Sequence, residues 1–153
     1  MKNMLSKFLL SLIIAISLTG CAALNDTIAG DPWRAYAGVR LSGDKVALIK
    51  TSGMRSYTSE TYIFLINDIT VEKIGGYIEV LPGHYVLEAH VAQRLGGPGS
   101  LLGALSEKRA QGSIVLEAEA GRIYVVDGRV VDGQAILWIE DEKTEQVVAG
   151  NKP

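Results

Sequence analysis

The chain has 153 residues, of which 48% are hydrophobic and 21% charged, and its formal net charge is −2. This length predicts one globular domain. The near-neutral charge argues against a nucleic-acid partner, and the single cysteine excludes a disulfide scaffold, a cysteine-rich zinc module and an iron–sulfur cluster. No apolar run reaches the roughly 18–20 residues of a membrane-spanning helix. We therefore expect no cofactor and no transmembrane segment.

The N-terminus, residues 1–20, has the organisation of a signal peptide. Lys2 and Lys7 form a short basic region, and Phe8 to Leu18 is an uncharged, mostly apolar run that is too short to span a bilayer. The sequence Leu18-Thr19-Gly20-Cys21 follows directly, and it resembles the lipobox of bacterial lipoproteins. The only cysteine of the chain thus stands at the cleavage position of that motif.

The lipoprotein resemblance implies that Cys21 is the site of lipidation. Its thiol would receive a diacylglyceryl group, and the peptide would be cut before Cys21. Two or more acyl chains hold a protein stably on a membrane, because each buried CH₂ contributes about 0.8 kcal/mol. Ala22 stands where aspartate favours inner-membrane retention, so the resemblance implies the outer membrane and a periplasmic orientation in a diderm bacterium. In another cell type it implies the outer face of the cell membrane.

Residues 21–32 form the predicted tether between the lipid and the domain. Ala22 to Pro32 are small and polar residues that end in Gly30-Asp31-Pro32. The domain is therefore expected to cover residues 33–153.

The domain shows strand patterns along almost its whole length. β-Branched and aromatic residues alternate with polar ones in short segments about ten residues apart, which is typical of a β-sandwich. We predict an all-β fold, a small antiparallel β-sandwich of about seven to eight strands. The principal segments are Lys45 to Lys50, Thr61 to Ile66, Tyr77 to Leu81, Tyr85 to Val91, Ile114 to Ala120, Ile123 to Val126, Ala135 to Glu140 and Gln146 to Ala149.

Three turn signals predict how these strands are connected. Pro82-Gly83 is typical of a type II turn, and Gly121-Arg122 predicts a hairpin between the strands on either side. Val-Val-Asp-Gly occurs at 125–128 and again at 130–133. Because Asp-Gly is a hairpin signal, the repeat predicts two adjacent turns.

The strand beginning at Tyr85 has one apolar and one polar face. Tyr85, Leu87, Ala89 and Val91 fall on the predicted core side, since side chains alternate along a strand. Glu88 and His90 share the other side about 7 Å apart, a separation that two metal ligands tolerate. No third ligand is identifiable, so we expect an ordinary polar strand face and no metal site.

The segment Gln93 to Gly112 interrupts the strand rhythm. It contains Gly96-Gly97-Pro98-Gly99, which resists a packed element, and an apolar stretch that is able to form two helical turns. We predict a flexible or partly helical insertion whose Leu101, Leu102 and Leu105 contact a partner. The alternative is that these leucines dock on the domain's own sheet.

A second resemblance covers residues 36–150. The segments Ile78-Glu79-Val80-Leu81-Pro82-Gly83-His84-Tyr85, Glu119-Ala120-Gly121-Arg122-Ile123-Tyr124 and Trp138-Ile139-Glu140-Asp141 are similar to a set of uncharacterised bacterial lipoproteins and to PEGA-type surface modules. This resemblance implies a small β-sandwich without known catalysis, and it transfers no functional residues.

The motifs favour binding over catalysis. The chain has no Gly-x-Ser-x-Gly nucleophile elbow, and Gly96-Gly97-Pro98-Gly99 lacks the Lys-Ser/Thr of a phosphate loop, so we predict no catalytic residues. Trp33, Tyr36, Tyr57 and Tyr62 are candidates for stacking on sugars or anchoring a protein, or else they fill the core. The predicted function is a lipid-anchored envelope lipoprotein acting as a structural or protein-interaction module. A glycan- or small-ligand-binding lipoprotein is the alternative, and a hydrolase comes third.

Overall fold

The structure is a computed structural model that describes residues 31–51, 59–72, 76–94 and 107–153. The region Pro32–Pro153 forms one structural unit. The predicted signal peptide, Cys21 and the tether as far as Gly30 lie outside the described residues. No helix in the described part of the chain is long and apolar enough to cross a membrane.

Strands arranged in two sheets account for all the regular structure of the described residues. The order along the six-stranded sheet is β1-β5-β2-β8-β9-β10, and along the four-stranded sheet it is β4-β3-β6-β7. The strands are β1 (Trp33–Arg34), β2 (Ala47–Thr51), β3 (Ser59–Ile66), β4 (Ile69–Thr70), β5 (Tyr77–Val80), β6 (Gly83–Arg94), β7 (Glu107–Ala118), β8 (Ile123–Val131), β9 (Gln134–Asp141) and β10 (Val147–Gly150).

The two sheets pack face to face, which confirms the predicted all-β sandwich. The described strands number ten rather than seven or eight, because β1 and β4 are additional strands of only two residues each. The four-stranded sheet is antiparallel, whereas the six-stranded sheet is mixed, since β2 runs parallel to β8 and β1 parallel to β5.

The core lies between the sheets and follows the predicted alternation of side chains. Leu87, Ala89 and Val91 of β6 are fully buried, and Tyr85 packs against the same cluster. The six-stranded sheet contributes its own buried set from the opposite side: Ala47, Ile49, Ile78, Val80, Tyr124, Val126, Val130, Leu137 and Ile139. Complementary apolar faces from two sheets are what a sandwich requires.

The prediction of a type II turn at Pro82-Gly83 is wrong. The strands on either side, β5 and β6, belong to different sheets, so the chain crosses the sandwich here instead of folding back. Gly83 has φ +153° and is already the first residue of β6, whereas the third residue of a type II turn has φ near about +80°.

The predicted hairpin at Gly121-Arg122 is also wrong. β7 lies in the four-stranded sheet and β8 in the six-stranded sheet, so this connection is a second crossing. The buried Tyr124 stabilises it: its hydroxyl accepts a hydrogen bond from the Glu119 amide at 3.0 Å and donates to the Glu117 carbonyl at 3.4 Å. A tyrosine hydroxyl bonded to backbone a few residues upstream is a recurrent corner device of β-sandwiches.

Only one of the two predicted Asp-Gly turns is present. Asp132 and Gly133 have φ +50° and +80° and join β8 to β9 as a two-residue hairpin, as predicted. Asp127 and Gly128 instead lie within β8, paired with Trp138 and Leu137. The same dipeptide therefore forms a turn at one site and part of a strand at the other. At the strand site, Gly128 lies against core side chains of both sheets, a position that it has only when β8 continues through it.

The predicted insertion at Gln93–Gly112 is wrong at both ends. β6 and β7 form one long antiparallel ladder that extends from Gly83 opposite Ala118 to Arg94 opposite Glu107. Gln93 and Glu107–Gly112 are therefore strand residues, and Glu107–Arg109 are not helical. Leu101, Leu102 and Leu105 lie outside the described residues, so their predicted contact with a partner stays a prediction.

Candidate interaction face

The outward side of the four-stranded sheet combines aromatic, ionic and apolar groups. We call it the outer face, defined by the outward side chains of β3, β6 and β7. The register across it is continuous: Tyr62 of β3 lies opposite His90 of β6, and His90 lies opposite Gln111 of β7. The face includes both histidines of the chain, His84 and His90.

An aromatic cluster forms where β3 has a bulge. Ile63 pairs with Ala89 and Leu65 with Glu88, so Phe64 is an extra residue in its strand. Its ring lies 4.3 Å from the ring of His90, centroid to centroid, with an interplanar angle of 34°. Alternation from Tyr62 places Phe64 on the outer face, and the bulge shifts the alternation after Phe64, so that Ile66 is buried.

Charged residues border the aromatic cluster. Arg94 Nη2 lies 3.6 Å from Glu60 Oε1, and Arg109 Nη2 lies 2.8 Å from Glu107 Oε2. The Tyr62 hydroxyl donates to the Glu60 carboxylate, which raises the pKa of Tyr62. The hydrogen bond with Arg109 lowers the pKa of Glu107, so the Glu107 carboxylate stays ionised at neutral pH.

The other end of the outer face carries an exposed apolar pair beside an ion pair. Val86 and Val115 lie opposite each other in the β6–β7 ladder and are 39% and 45% exposed. His84 Nδ1 is 2.5 Å from Glu117 Oε1 across the same two strands. Adjacent exposed valines on a regular sheet offer a protein partner apolar area, with polar groups near them for specificity.

Glu88 and His90, the pair considered for a metal, both lie on the outer face. His90 is in contact with Phe64, and its Nε2 is 3.5 Å from Gln111 Nε2. Across residues 31–51, 59–72, 76–94 and 107–153, no three or more histidine, cysteine, aspartate or glutamate side chains form a group that could hold a metal ion.

A depression of about 490 Å³ lies where β8 begins and β9 ends, lined by Gly121–Ile123 and Asp141–Thr144. The Asp141 carboxylate, 3% exposed, accepts hydrogen bonds from the amides of Lys143 and Thr144 at 3.1 and 2.9 Å. It also accepts from the Thr144 hydroxyl and from Arg122 Nη1, each at 3.1 Å. The backbone bond from Thr144 contributes most to the lowered pKa of Asp141. These bonds stabilise the turn after β9, and they already use the Asp141 carboxylate and the Arg122 guanidinium of the depression.

The aromatic residues near the start of the domain, Trp33 and Tyr36, stabilise the fold. Trp33 packs against the core cluster, and Tyr36 donates its hydroxyl to the buried carboxylate of Glu79. Arg40 Nε lies 3.6 Å from the same carboxylate, and the Leu41 amide donates to the Tyr36 hydroxyl at 3.4 Å. Of the four aromatic candidates, Tyr62 is placed on the outer face, and Tyr57 lies outside the described residues.

The sequence predicted the polar face of β6 but not the outer face as a unit. The sequence did not identify Phe64 or Arg94, because the contact of Phe64 with His90 and the extension of β6 beyond Val91 depend on strand pairing. Glu79 and Asp141, the two buried carboxylates among the described residues, carried no sequence signal that separates them from other acidic residues.

No family model matches the chain, and no curated protein or solved structure shows significant similarity to it.

Proposed function

We propose that this protein is a lipid-anchored envelope lipoprotein whose β-sandwich is a non-catalytic structural or protein-interaction module. The proposal of a lipid anchor is supported by the sequence Leu18-Thr19-Gly20-Cys21, which directly follows an apolar segment of signal-peptide length. Ala22 favours the outer membrane and a periplasmic orientation in a diderm cell. The membrane contact is the lipid on Cys21, and the protein contact is the outer face.

The outer face supports the interaction role through its mixture of side chains. Val86 and Val115 supply exposed apolar area, and Tyr62 and Phe64 supply aromatic surface. Interface cores are rich in aromatic residues and arginine, and a polar rim surrounds them. Arg94 and Arg109 at one end and His84 with Glu117 at the other give the face such a rim.

The anchor is tested by changing Cys21→Ser in the full chain. We expect this variant to lose fatty-acid labelling and to accumulate as uncleaved precursor, because lipid attachment and cleavage both need the thiol. The measurement is metabolic labelling with a palmitate analogue followed by gel analysis. Ser113→Ala, which keeps the lipobox, is the control and should be labelled normally. Labelling that persists in Cys21→Ser contradicts the anchor.

The interaction face is tested by crosslinking in intact cells. We expect the double variant Tyr62→Ser, Val86→Ser to lose crosslinks to other envelope proteins about fivefold or more, because hot-spot truncations cost more than about 1 kcal/mol. The matched control is Val39→Ser with Val131→Ser, since those valines are exposed but lie off the outer face. Equal losses in both variants contradict the assignment.

A third variant in the same crosslinking assay distinguishes the outer face from the predicted contact through Leu101, Leu102 and Leu105. Changing all three leucines to serine leaves the outer face intact. If that variant alone loses the crosslinks, the partner is bound by the leucine segment and the outer face is not the contact surface.

A second candidate function is glycan binding, favoured by the cluster of Tyr62, Phe64 and His90. Sugar rings stack on aromatic side chains, and Glu60, Arg94 and Gln111 near the cluster supply hydrogen-bonding groups. Retention of the parent protein on insoluble cell-wall glycan, lost in Phe64→Ser but kept in Val131→Ser, would favour this candidate over a protein partner.

A further inference from the structure

The edge formed by β7 is an open site for strand pairing. β7 runs from Glu107 to Ala118, ends the four-stranded sheet and pairs with β6 on one side. Within the part of the chain that the structure describes, no strand pairs with its other side. A long regular edge is a template for another strand, because its amides and carbonyls are unpaired on that side. β7 contains no proline and no bulge that would block such pairing.

A second copy of β7 fits this edge in a restricted set of registers. Two antiparallel β7 strands related by a two-fold axis must pair residues of equal parity, because a slip of one residue turns the core side of one copy outward. The two registers with the longest overlap place the axis at Gly112 or at Ser113.

Charge distinguishes these two registers. With the axis at Gly112, Glu107 lies opposite Glu117 of the other copy, twice, and like charges directly opposite are destabilising. With the axis at Ser113, Arg109 lies opposite Glu117, again twice. Arg109 and Glu117 side chains are 75% and 74% exposed, so both are accessible to a second copy.

The neighbouring edge of the other sheet also supports association. β7 packs against β9 and β10, and β10 ends the six-stranded sheet on the same side of the sandwich. Its Val147 and Val148 are 41% and 45% exposed. A two-fold axis at Ser113 brings the β10 edges of both copies to the same side, where these valines add apolar area to the hydrogen-bonded strand contact.

We infer that two copies of this chain pair through antiparallel β7 strands about a two-fold axis at Ser113, joining their four-stranded sheets into one continuous sheet of eight strands. This dimer goes beyond the proposed interaction role, since it uses the edge of β7 and leaves the outer faces of both copies open on one side. Lipid anchoring would favour it by confining both copies to one membrane surface.

The register is tested with single cysteines in the full chain, using copper phenanthroline as the oxidant. Ser113→Cys should form a disulfide-linked dimer in high yield, because residues directly opposite in an antiparallel pair have Cα atoms about 4.5–5.5 Å apart. Gln111→Cys or Val115→Cys alone should not, since each is offset from its own copy by about 14 Å along the strands. Coexpression of those two should crosslink, and the parent chain, whose only cysteine is Cys21, is the control.

A charge exchange tests the same dimer without cysteines. Arg109→Glu and Glu117→Arg should each lower the chemically crosslinked dimer about tenfold, because two attractive pairs become repulsive, and the double variant should restore it. Dimer that increases in Glu117→Arg alone indicates the Gly112 register and overturns the assignment. Failure of Ser113→Cys to crosslink, or β7 crosslinks only to other proteins, overturns the dimer itself.

Discussion

Changing Gly128→Val is expected to lower the free energy of unfolding by about 3 kcal/mol or more, since overpacking a core commonly costs about 1–3 kcal/mol for smaller insertions. A Cβ at Gly128 would lie 2.6 Å from Val91 Cγ2 and 2.8 Å from Leu137 Cδ2. Both neighbours are buried, one in each sheet, so the side chain would force the sheets apart. Urea unfolding of the purified protein followed by fluorescence measures the change.

Gly43→Val is the matched control for this substitution. A Cβ at Gly43 meets nothing within 4 Å, so the same chemical change should alter the free energy of unfolding by less than about 0.5 kcal/mol. If Gly128→Val is as stable as Gly43→Val, the close approach of the two sheets at Gly128 is contradicted.

Changing Asp141→Ala is expected to destabilise the protein by about 3 kcal/mol, because a hydrogen bond to a charged group contributes about 1.5–3 kcal/mol and several such bonds to one buried carboxylate are lost. The carboxylate accepts from two amides, the Thr144 hydroxyl and Arg122, and alanine satisfies none of these donors. The turn that joins β9 to β10 should loosen first. Glu72→Gln, at an exposed site, is the control and should unfold like the parent.

Asp141 also gives a pH dependence of definite sign. The fold holds its pKa below the ordinary value of 3.8, mainly through the Thr144 amide, so the folded state favours the ionised carboxylate. Its contribution to stability is complete above pH 3.8 and is lost as the pH falls through the lower folded-state pKa. The stability difference between the parent and Asp141→Ala should therefore narrow on acidification below pH 3.8. A difference that widens there contradicts this role.

The paired strands of the outer face show which structural features a sequence pattern predicts and which it does not. The alternation in β6 predicted that Leu87, Ala89 and Val91 face the core and that Glu88 and His90 do not, and the structure confirms both. Side-chain period is a local property of an extended chain, so it can be derived from residue order. The bulge at Phe64, after which Ile66 returns to the core, could not be derived, because a bulge exists only relative to the partner strand.

By itself the sequence determined the strand content, the core side of β6, the turn at Asp132-Gly133 and the prediction of lipidation at Cys21, since each depends on neighbouring residues. Only the tertiary structure decided which sheet receives each strand. A Pro-Gly or Gly-Arg turn signal is compatible with a connection within one sheet or between two, and Pro82-Gly83 and Gly121-Arg122 both connect two sheets. Asp127-Gly128 carries a turn signal but lies within β8. Those outcomes depend on burial of apolar faces contributed by residues far apart in the chain, and no local pattern contains that information.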